Sequence, residues 1–367
     1  MKNSSILNKR LLFVTPCLSF AGAEKILCWV AGEFAKTEYE VHILNLNLIS
    51  NNSDFRIRLT DKIIVHTLDS TFKKGLNNYY RLKSIIDIAK NNKINLMISF
   101  TQYPCVLTSL AGLISGIPVL ISERGDPLQF SKGFRNKINF CILNSAKGCV
   151  FQTEYAKVVY SRKLIERSIV IPNPVFRITE QRWEYHNTKV IVSIGRLENI
   201  QKRYDLMLDA FENFSIKHDD YILNIFGKGP DEEYLKSIVE NKSIGNKVYF
   251  KGITNNATSE LLSADIFLIT SDYEGVPNAL LEAMAIGMPV ISTDCSPGGA
   301  KFLIKDHQNG LLVSRGDAQS ISKALDEYVN NLSLMNKCAT NAGNITDLFS
   351  PEKVFIMWKN YIDKILK

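Results

Sequence analysis

Glu274 and Glu282 stand with seven residues between them in "SDYEGVPNALLEAMAIGMPVIST", Ser271 to Thr293. The first lies in a turn that carries Gly275 and Pro277. The second lies inside an almost wholly apolar helix. Pro277 suits the first helical position, where an N–H would have no partner within the helix. Leu280, Ala283, Met284 and Gly287 fall on one face, and Glu282 falls opposite, one turn after Asn278. Leu281, Ala285 and Ile286 make the flanks apolar too, so the spacing predicts a mostly buried helix. A buried carboxylate without partners is costly and needs a hydroxyl, an amide or a cation. The first turn, after the small Gly275, offers free N–H groups and the positive end of a helix dipole. Such a turn can seat an anion or sugar oxygens. The ordinary alternative is a structural carboxylate at a helix start and a second one paired within the core.

Two cations stand upstream. "VIVSIGRLENIQKRYDLMLDAF" places Gly195 and Arg196 directly after an apolar strand, and Lys202 just before the next helix. Both would reach the strand-end edge of a sheet, where a pyrophosphate can be held: Arg as a planar fork, Lys as a point charge. A solvated basic loop is the alternative. "NIFGKGPDEEYL" repeats the strand, glycine turn and helix at Gly227 and Gly229, and "STDCSPGGAKFLI" adds Gly298 and Gly299. One glycine turn says little. Four such edges in one half of the chain point to a nucleotide site.

These residues depend on alternating elements to bring them together. In the first half, strands are predicted at residues 11–15, 41–46, 63–67, 96–100, 119–122, 149–152 and 169–171. Helices are predicted near residues 23–35, 78–91, 106–115, 136–145 and 154–162. After a polar stretch the alternation restarts, with strands at 190–194, 221–226, 248–251, 266–270, 290–292 and 311–313. Helices near 204–214, 231–240, 259–263 and 278–286 lie between them. Strands separated by helices predict parallel sheets covered on both faces. The expected organisation is a first domain at residues 1–175, a linker at 176–189 and a second domain at 190–350. The amphipathic helix at 351–367, carrying Val354, Trp358 and Ile362, is expected to pack back on the first domain. Ligands of such folds bind beyond the carboxyl ends of the strands.

Composition narrows the classes. With 367 residues, 46% of them hydrophobic and 22% charged, the chain suits about two soluble globular domains. No apolar run reaches the roughly 18 residues that would span a bilayer. The seven cysteines form no C-x-x-C pair and the five histidines are scattered, so neither a disulfide frame nor a metal site is expected. Lys9 and Arg10 before "LLFVTPCLSFAGA" could open a secretory leader. Pro16 interrupts the apolar run early, and a core strand is the favoured reading. Residues 1–185 carry 25 Lys and Arg against 14 Asp and Glu, leaving 19 against 23 in the rest. A basic first half attracts phosphates, whether of lipids, nucleic acid or nucleotides.

Gly195-Arg196, Lys202, Gly227-x-Gly229-Pro230, the Glu274-x7-Glu282 pair and "NGLLV" at Asn309–Val313 resemble, in order and spacing, the family 4 retaining glycosyltransferases. The resemblance implies a GT-B fold: two doubly wound Rossmann-like α/β domains facing across a cleft. It implies that Arg196 and Lys202 bind the donor diphosphate, that Glu274 binds hydroxyls of the donor sugar, and that Glu282 binds ribose hydroxyls. Gly195, Gly227 and the Gly275, Val276, Pro277, Asn278 turn would complete the donor site. "SFAGAEK" resembles the family's glycine loop that approaches the donor from the facing domain, with Gly22 as its key residue. A plain strand-to-helix turn is the alternative there.

"ISERGDP", Ile121 to Pro127, resembles the "SERNDP"-type segment of transferases that extend lipid-linked oligosaccharides for capsule, exopolysaccharide or protein glycans. Gly125 replaces the Asn, and Arg124 stands where many members carry a His. Arg124 and Asp126 are therefore candidates for acceptor binding. Two basic-aromatic stretches, "TFKKGLNNYYRLK" and "FSKGFRNKINF", suit anionic lipid head groups or an acceptor's pyrophosphate, with Lys132, Arg135 and Lys137 as candidates. A soluble basic face explains them as well.

The expected activity is transfer of a hexose or N-acetylhexosamine from a nucleotide sugar, UDP by family habit, to a lipid-linked saccharide, with retention. No cofactor or metal is expected, since no Asp-x-Asp is present. The expected location is the cytoplasm, with peripheral attachment to the inner face of the membrane. A dinucleotide oxidoreductase is disfavoured: "GKGPDE" lacks the third glycine of its fingerprint. A sugar-nucleotide epimerase and a non-catalytic sugar-nucleotide binder remain as rivals. Nucleic-acid binding leaves the second-half constellation unexplained.

Overall fold

A computed structural model describes residues 9–18, 22–46, 59–68, 77–131, 133–176 and 181–367. The chain forms two compact units. Unit 1 holds residues 1–173 and 352–367, and unit 2 holds residues 174–351.

Unit 1 is built on a seven-stranded sheet. Its strands are β1 (Arg10–Thr15), β2 (Glu40–Asn45), β3 (Ile63–Thr67), β4 (Leu96–Phe100), β5 (Val119–Ser122), β6 (Gly148–Phe151) and β7 (Ile169–Val170). Unit 2 carries β8 (Val190–Ile194), β9 (Ile222–Phe226), β10 (Val248–Gly252), β11 (Ile266–Ile269), β12 (Val290–Thr293) and β13 (Leu311–Val313). Every pairing is parallel. The orders are β3-β2-β1-β4-β5-β6-β7 and β10-β9-β8-β11-β12-β13. These are the doubly wound halves of the GT-B fold. Strands β4, β5, β11 and β12 are buried along their whole length, as expected of strands covered on both faces. In each unit the strand order reverses once, between β1 and β4 and between β8 and β11. The loops that leave those strands diverge there and leave a crevice for a ligand.

The stretch at 176–189, expected as a linker, belongs to unit 2 over its described residues. Trp183 is buried, its backbone N–H donates to Ile286 O at 2.8 Å, and its indole donates to Ala264 O at 2.7 Å. Asp265 accepts from the N–H groups of Thr188 and Lys189. A polar stretch without period can still be ordered when a single large apolar side chain anchors it.

The helix Pro351–Ile365 spans the return to unit 1. Trp358 is fully buried and stacks on Phe100 at the end of β4, with centroids 5.5 Å apart. Phe355 meets Phe34 edge-on at 5.1 Å, and Tyr361 Oη donates to Arg167 O. Five helices in unit 2 lay outside the sequence reading: Asn199–Lys202, Gly299–Leu303, Ala318–Asn330, Leu332–Ala342 and Ile345–Leu348.

Candidate active site

Loops at the carboxyl ends of β8, β9, β11 and β12 build the site in unit 2. After β8, Gly195 and Leu197 donate to Phe226 O and Lys228 O in the loop after β9, at 2.9 and 3.1 Å. The two loops run side by side because of glycine. Gly227 has φ +140, and a Cβ there would sit 1.8 Å from Gly195 O; one on Gly229 would sit 2.1 Å from Leu197 O. Asp231 fixes the far end by accepting from Asn199 N–H at 2.6 Å. Asn199 opens the one-turn helix Asn199–Lys202, which carries Lys202 at its end.

Lys202 points back over the loop. Its Nζ is bonded to Glu274 Oε1, and it lies 3.9 Å from where a Cβ on Gly195 would stand. Glu274 follows β11. The segment that carries it is tied down on both sides. Asp272 N–H donates to Gln201 O, Glu274 N–H donates to Ser296 O at 2.8 Å, and Gln201 Nε2 donates to Tyr273 O. Thr293 Oγ1 donates to Ser271 O at 2.6 Å. Ser271 Oγ shares Glu274 Oε1 at 3.0 Å. The second carboxylate oxygen, Oε2, takes no hydrogen bond from the described residues. Lys202 and Glu274 keep 18% and 11% of their side chains exposed, so the pair is largely desolvated yet reachable. Glu274's charge also adds to burial in pushing the Cys295 thiol up to about 12.

The turn Gly275–Asn278 leads into the helix Asn278–Ala285. Val276 and Pro277 are buried, and Asn278 is half-buried. No side chain caps this helix. The turn is held from behind by the helix Gly299–Leu303, which approaches it closely. A Cβ on Gly299 would lie 1.5 Å from Gly275 O.

Gly195, Gly227, Lys202, Glu274 and the Gly275–Asn278 turn are thus brought together around the β8/β11 reversal. Arg196 is on the same edge but is not drawn in. Its side chain is exposed, and its Nη1 lies 3.4 Å from Glu198 Oε2. Glu282 differs from expectation. Leu280, Leu281, Ala283 and Met284 are buried, but Glu282 is half-buried and already has an interaction partner. The apolar flanks concealed how far its own face opens to solvent. Ser271 was missed. A serine three residues before an acid in a strand-end turn is too common a pattern to single out.

In unit 1, the segment after β5 is an internally bonded loop. Glu123 is buried; its Oε1 accepts from the N–H groups of Arg124 and Gly125 at 3.0 Å, and its Oε2 accepts from Tyr160 Oη at 2.5 Å. Burial and the Glu123 charge together hold the Tyr160 phenol well above its ordinary pKa. Asp126, 2% exposed, caps the short helix Pro127–Phe130 by accepting from Leu128 N–H at 3.0 Å and from Gln129 Nε2 at 3.1 Å. Asp126→Ala is therefore expected to cost about 1–2 kcal/mol of stability, read as a lowered urea midpoint.

Arg124 turns inward. Its Nη1 donates to Asn173 Oδ1 at 2.7 Å, and its guanidinium lies over Phe100 at 4.3 Å and Trp358 at 5.6 Å. Burial pushes its pKa down. Arg124 and Asp126 are thus both bonded within unit 1, to Asn173 and within the loop after β5. Gly22 is the exposed first residue of the helix Gly22–Phe34; Ser19, Phe20 and Ala21 lie outside the described residues, as does Lys132. Arg135 and Lys137 are exposed on the helix Phe134–Leu143.

Comparison with known proteins bears on this geometry. Residues 176–344 match the family model described as glycosyl transferases group 1. A Haemophilus influenzae protein described as an uncharacterized glycosyltransferase is 25% identical over 358 residues, covering 95% of this chain and 98% of that one. A Campylobacter jejuni α-1,4-N-acetyl-D-galactosaminyltransferase, named for an undecaprenol-diphosphate-linked saccharide, is 25% identical over 351 residues, 91% of this chain and 92% of that one. Among solved structures, Anabaena HepE in complex with UDP and glucose superposes with a TM-score of 0.79 at 17% identity, covering 97% of this chain and 100% of that one.

Proposed function

We propose, for a glycosyltransferase of the GT-B fold whose residues 176–344 belong to the glycosyl transferases group 1, the following reaction. A hexose or N-acetylhexosamine moves from a UDP-linked donor to a sugar hydroxyl of a lipid-linked oligosaccharide, with retention and without a metal. The observation that carries this reading is the Lys202–Glu274–Ser271 cluster beside Gly195, next to an uncapped helix start. UDP in the Anabaena structure supports the choice of nucleotide, and the undecaprenol-linked saccharide named for the Campylobacter enzyme supports the choice of acceptor.

Each residue has a task. As the bond from the anomeric carbon to the diphosphate oxygen breaks, negative charge gathers on the diphosphate. Lys202 and the N–H groups of the Gly275–Asn278 turn are preorganised to receive it. Arg196 reaches the same phosphates by leaving Glu198. Glu274 Oε2 accepts hydroxyls of the transferred sugar, and Glu282 accepts those of the ribose. The acceptor oxygen bonds to the anomeric carbon on the face the diphosphate leaves, and its proton passes to a leaving phosphate oxygen. Such a step needs no carboxylate nucleophile. Unit 1 holds the acceptor, and the protein works at the cytoplasmic face of the membrane.

The test is a panel of UDP-sugars incubated with lipid-linked saccharides, with and without EDTA. Mass spectrometry identifies the product, and the NMR coupling of the new anomeric proton gives its configuration. One UDP-sugar is expected to yield a product with the donor's anomeric configuration at a rate EDTA leaves unchanged. Conversion of donor to an epimeric sugar without acceptor would instead establish an epimerase. Tight UDP-sugar binding with no turnover would establish a binding protein.

A further inference from the structure

Unit 2 carries a second concavity, at the far end of the helix that follows the donor turn. That helix, Asn278–Ala285, starts at the Gly275–Asn278 turn and gives way to Ile286 and Gly287 roughly 12 Å further on. Ile286 and Gly287 belong to the wall of a cavity of about 560 Å³, which Arg182, Glu184, Asn336 and Asn344 also line. The volume lies within the roughly 300–1,000 Å³ of small-molecule sites. None of the residues assigned to the donor lines it.

The cavity is built around Arg182. Its Nη1 donates to Ala285 O at 3.3 Å, a cation placed at a helix C-terminus. That contact uses one of the five N–H donors of a guanidinium. The group is seated against bare backbone. A Cβ on Gly343 would stand 2.3 Å from Arg182 Nη1 and 3.4 Å from its Cζ, and one on Gly287 would stand 4.0 Å from Nη1. Gly343 has φ −59, a conformation open to any residue, so what glycine provides there is space for Arg182. Neither Arg182 nor Glu184 forms an ion pair among the described residues, and the side-chain amides of Asn336 and Asn344 make no hydrogen bond among them. Four polar side chains with unspent hydrogen-bonding capacity therefore line one concavity.

Their chemistry defines the ligand. Arg182 and Glu184 are the charged residues of the lining and cancel, which disfavours a bare anion or cation. Guanidinium and amide N–H groups donate, while the carboxylate and the amide carbonyls accept. A ligand that meets both kinds at several points carries groups that donate and accept alike, and hydroxyls do so. Trp183 and Tyr185 add aromatic surface, and Ile286 and Ala339 add apolar surface, against which the C–H face of a sugar ring can lie. We propose that this cavity binds a neutral saccharide, at a site separate from the donor site. The proposal goes beyond the transfer reaction above and does not depend on it.

The full chain is titrated with maltotriose and with N,N′,N″-triacetylchitotriose, followed by ligand-observed NMR. At least one trisaccharide is expected to bind saturably, with a Kd on the order of 1 mM or tighter. Arg182→Ala is expected to weaken that binding roughly tenfold. Gly343→Ala leaves Arg182 in the chain but drives its guanidinium out of its seat, and should weaken binding by a similar factor. Its melting temperature should equal or exceed that of the wild type, because alanine adopts this backbone without strain. UDP affinity, read by calorimetry, should be unchanged in both variants. The proposal is overturned if neither trisaccharide binds, if either folded variant binds as well as the wild type, or if inorganic phosphate or adenosine binds in place of the trisaccharides. A matching loss of UDP affinity would also overturn it, since the cavity would then not be separate from the donor site. If UDP binds none of the proteins while the trisaccharide losses appear, the donor reading falls and the saccharide site stands.

Discussion

Lys202→Met is expected to lower the rate of glycosyl transfer by about 10²–10³ at saturating donor while the protein stays folded. The amine is the cation that the structure places at the meeting of the β8 and β11 loops, bonded to Glu274 and beside Gly195. Because the effect lies in the transition state, kcat should fall far more than KM for the donor rises. Folding is spared because Ser271 still donates to Glu274 and the segment's backbone ties to Gln201 and Ser296 remain. Arg196→Met should cost less, since Arg196 starts from an exposed pairing with Glu198. Initial rates with the UDP-sugar found by the donor panel, together with calorimetric titration of UDP, check both. Lys202→Met turning over within tenfold of the wild type would remove Lys202 from the mechanism.

Gly299→Ala is expected to cost more than any other single-methyl change in the site. The added Cβ would stand 1.5 Å from Gly275 O and 2.7 Å from its carbonyl carbon. Both atoms are backbone, so no rotamer change relieves the clash. Either the helix Gly299–Leu303 withdraws or the Gly275–Val276 turn moves, and the second displaces the N–H groups proposed to hold the donor. A displacement of about 1 Å at a reacting centre costs on the order of a hundredfold in rate, and forced repacking costs about 1–3 kcal/mol of stability. Gly125→Ala is the matched control. Its Cβ would meet only Glu123 Oε1, at an ordinary 3.8 Å. The comparison is read as rate and melting temperature for the two variants side by side. A Gly299→Ala enzyme as active as Gly125→Ala would show that the turn's position is not critical.

Much of the architecture could be read from residue order. Each of the thirteen strands appears close to its expected position, because buried parallel strands are short apolar runs bounded by Gly, Pro or polar residues. The helices of residues 318–348 escaped, although Asp317 accepts from Ser320 N–H as an N-cap and Ile321, Ala324, Leu325 and Tyr328 repeat at helical spacing. The helix Leu332–Ala342 was harder, since Asn, Ser, Thr and Lys are spread through its few apolar positions.

In the site, pairing was the limit. Lys202 and Glu274 were each legible as candidates, but their mutual bond spans 72 residues and depends on two loops folding over each other. Arg124 shows the same limit in reverse. Its place in "ISERGDP" made it a candidate for acceptor binding. Phe100, Asn173 and Trp358, remote in sequence, turn it inward instead.

Unit 1 is made of residues 1–173 and 352–367, on either side of unit 2, and that bears on the order in which the two units can fold during synthesis. Residues 174–351 are contiguous and can mature as soon as they emerge. The sheet that starts with β1 gains the cover of Phe100 and Arg124 only when Trp358 emerges. The usual N-to-C sequence of domain maturation is expected to be inverted here. Nascent chains arrested before residue 358 should therefore present a protease-resistant second half beside a first half still open to attack.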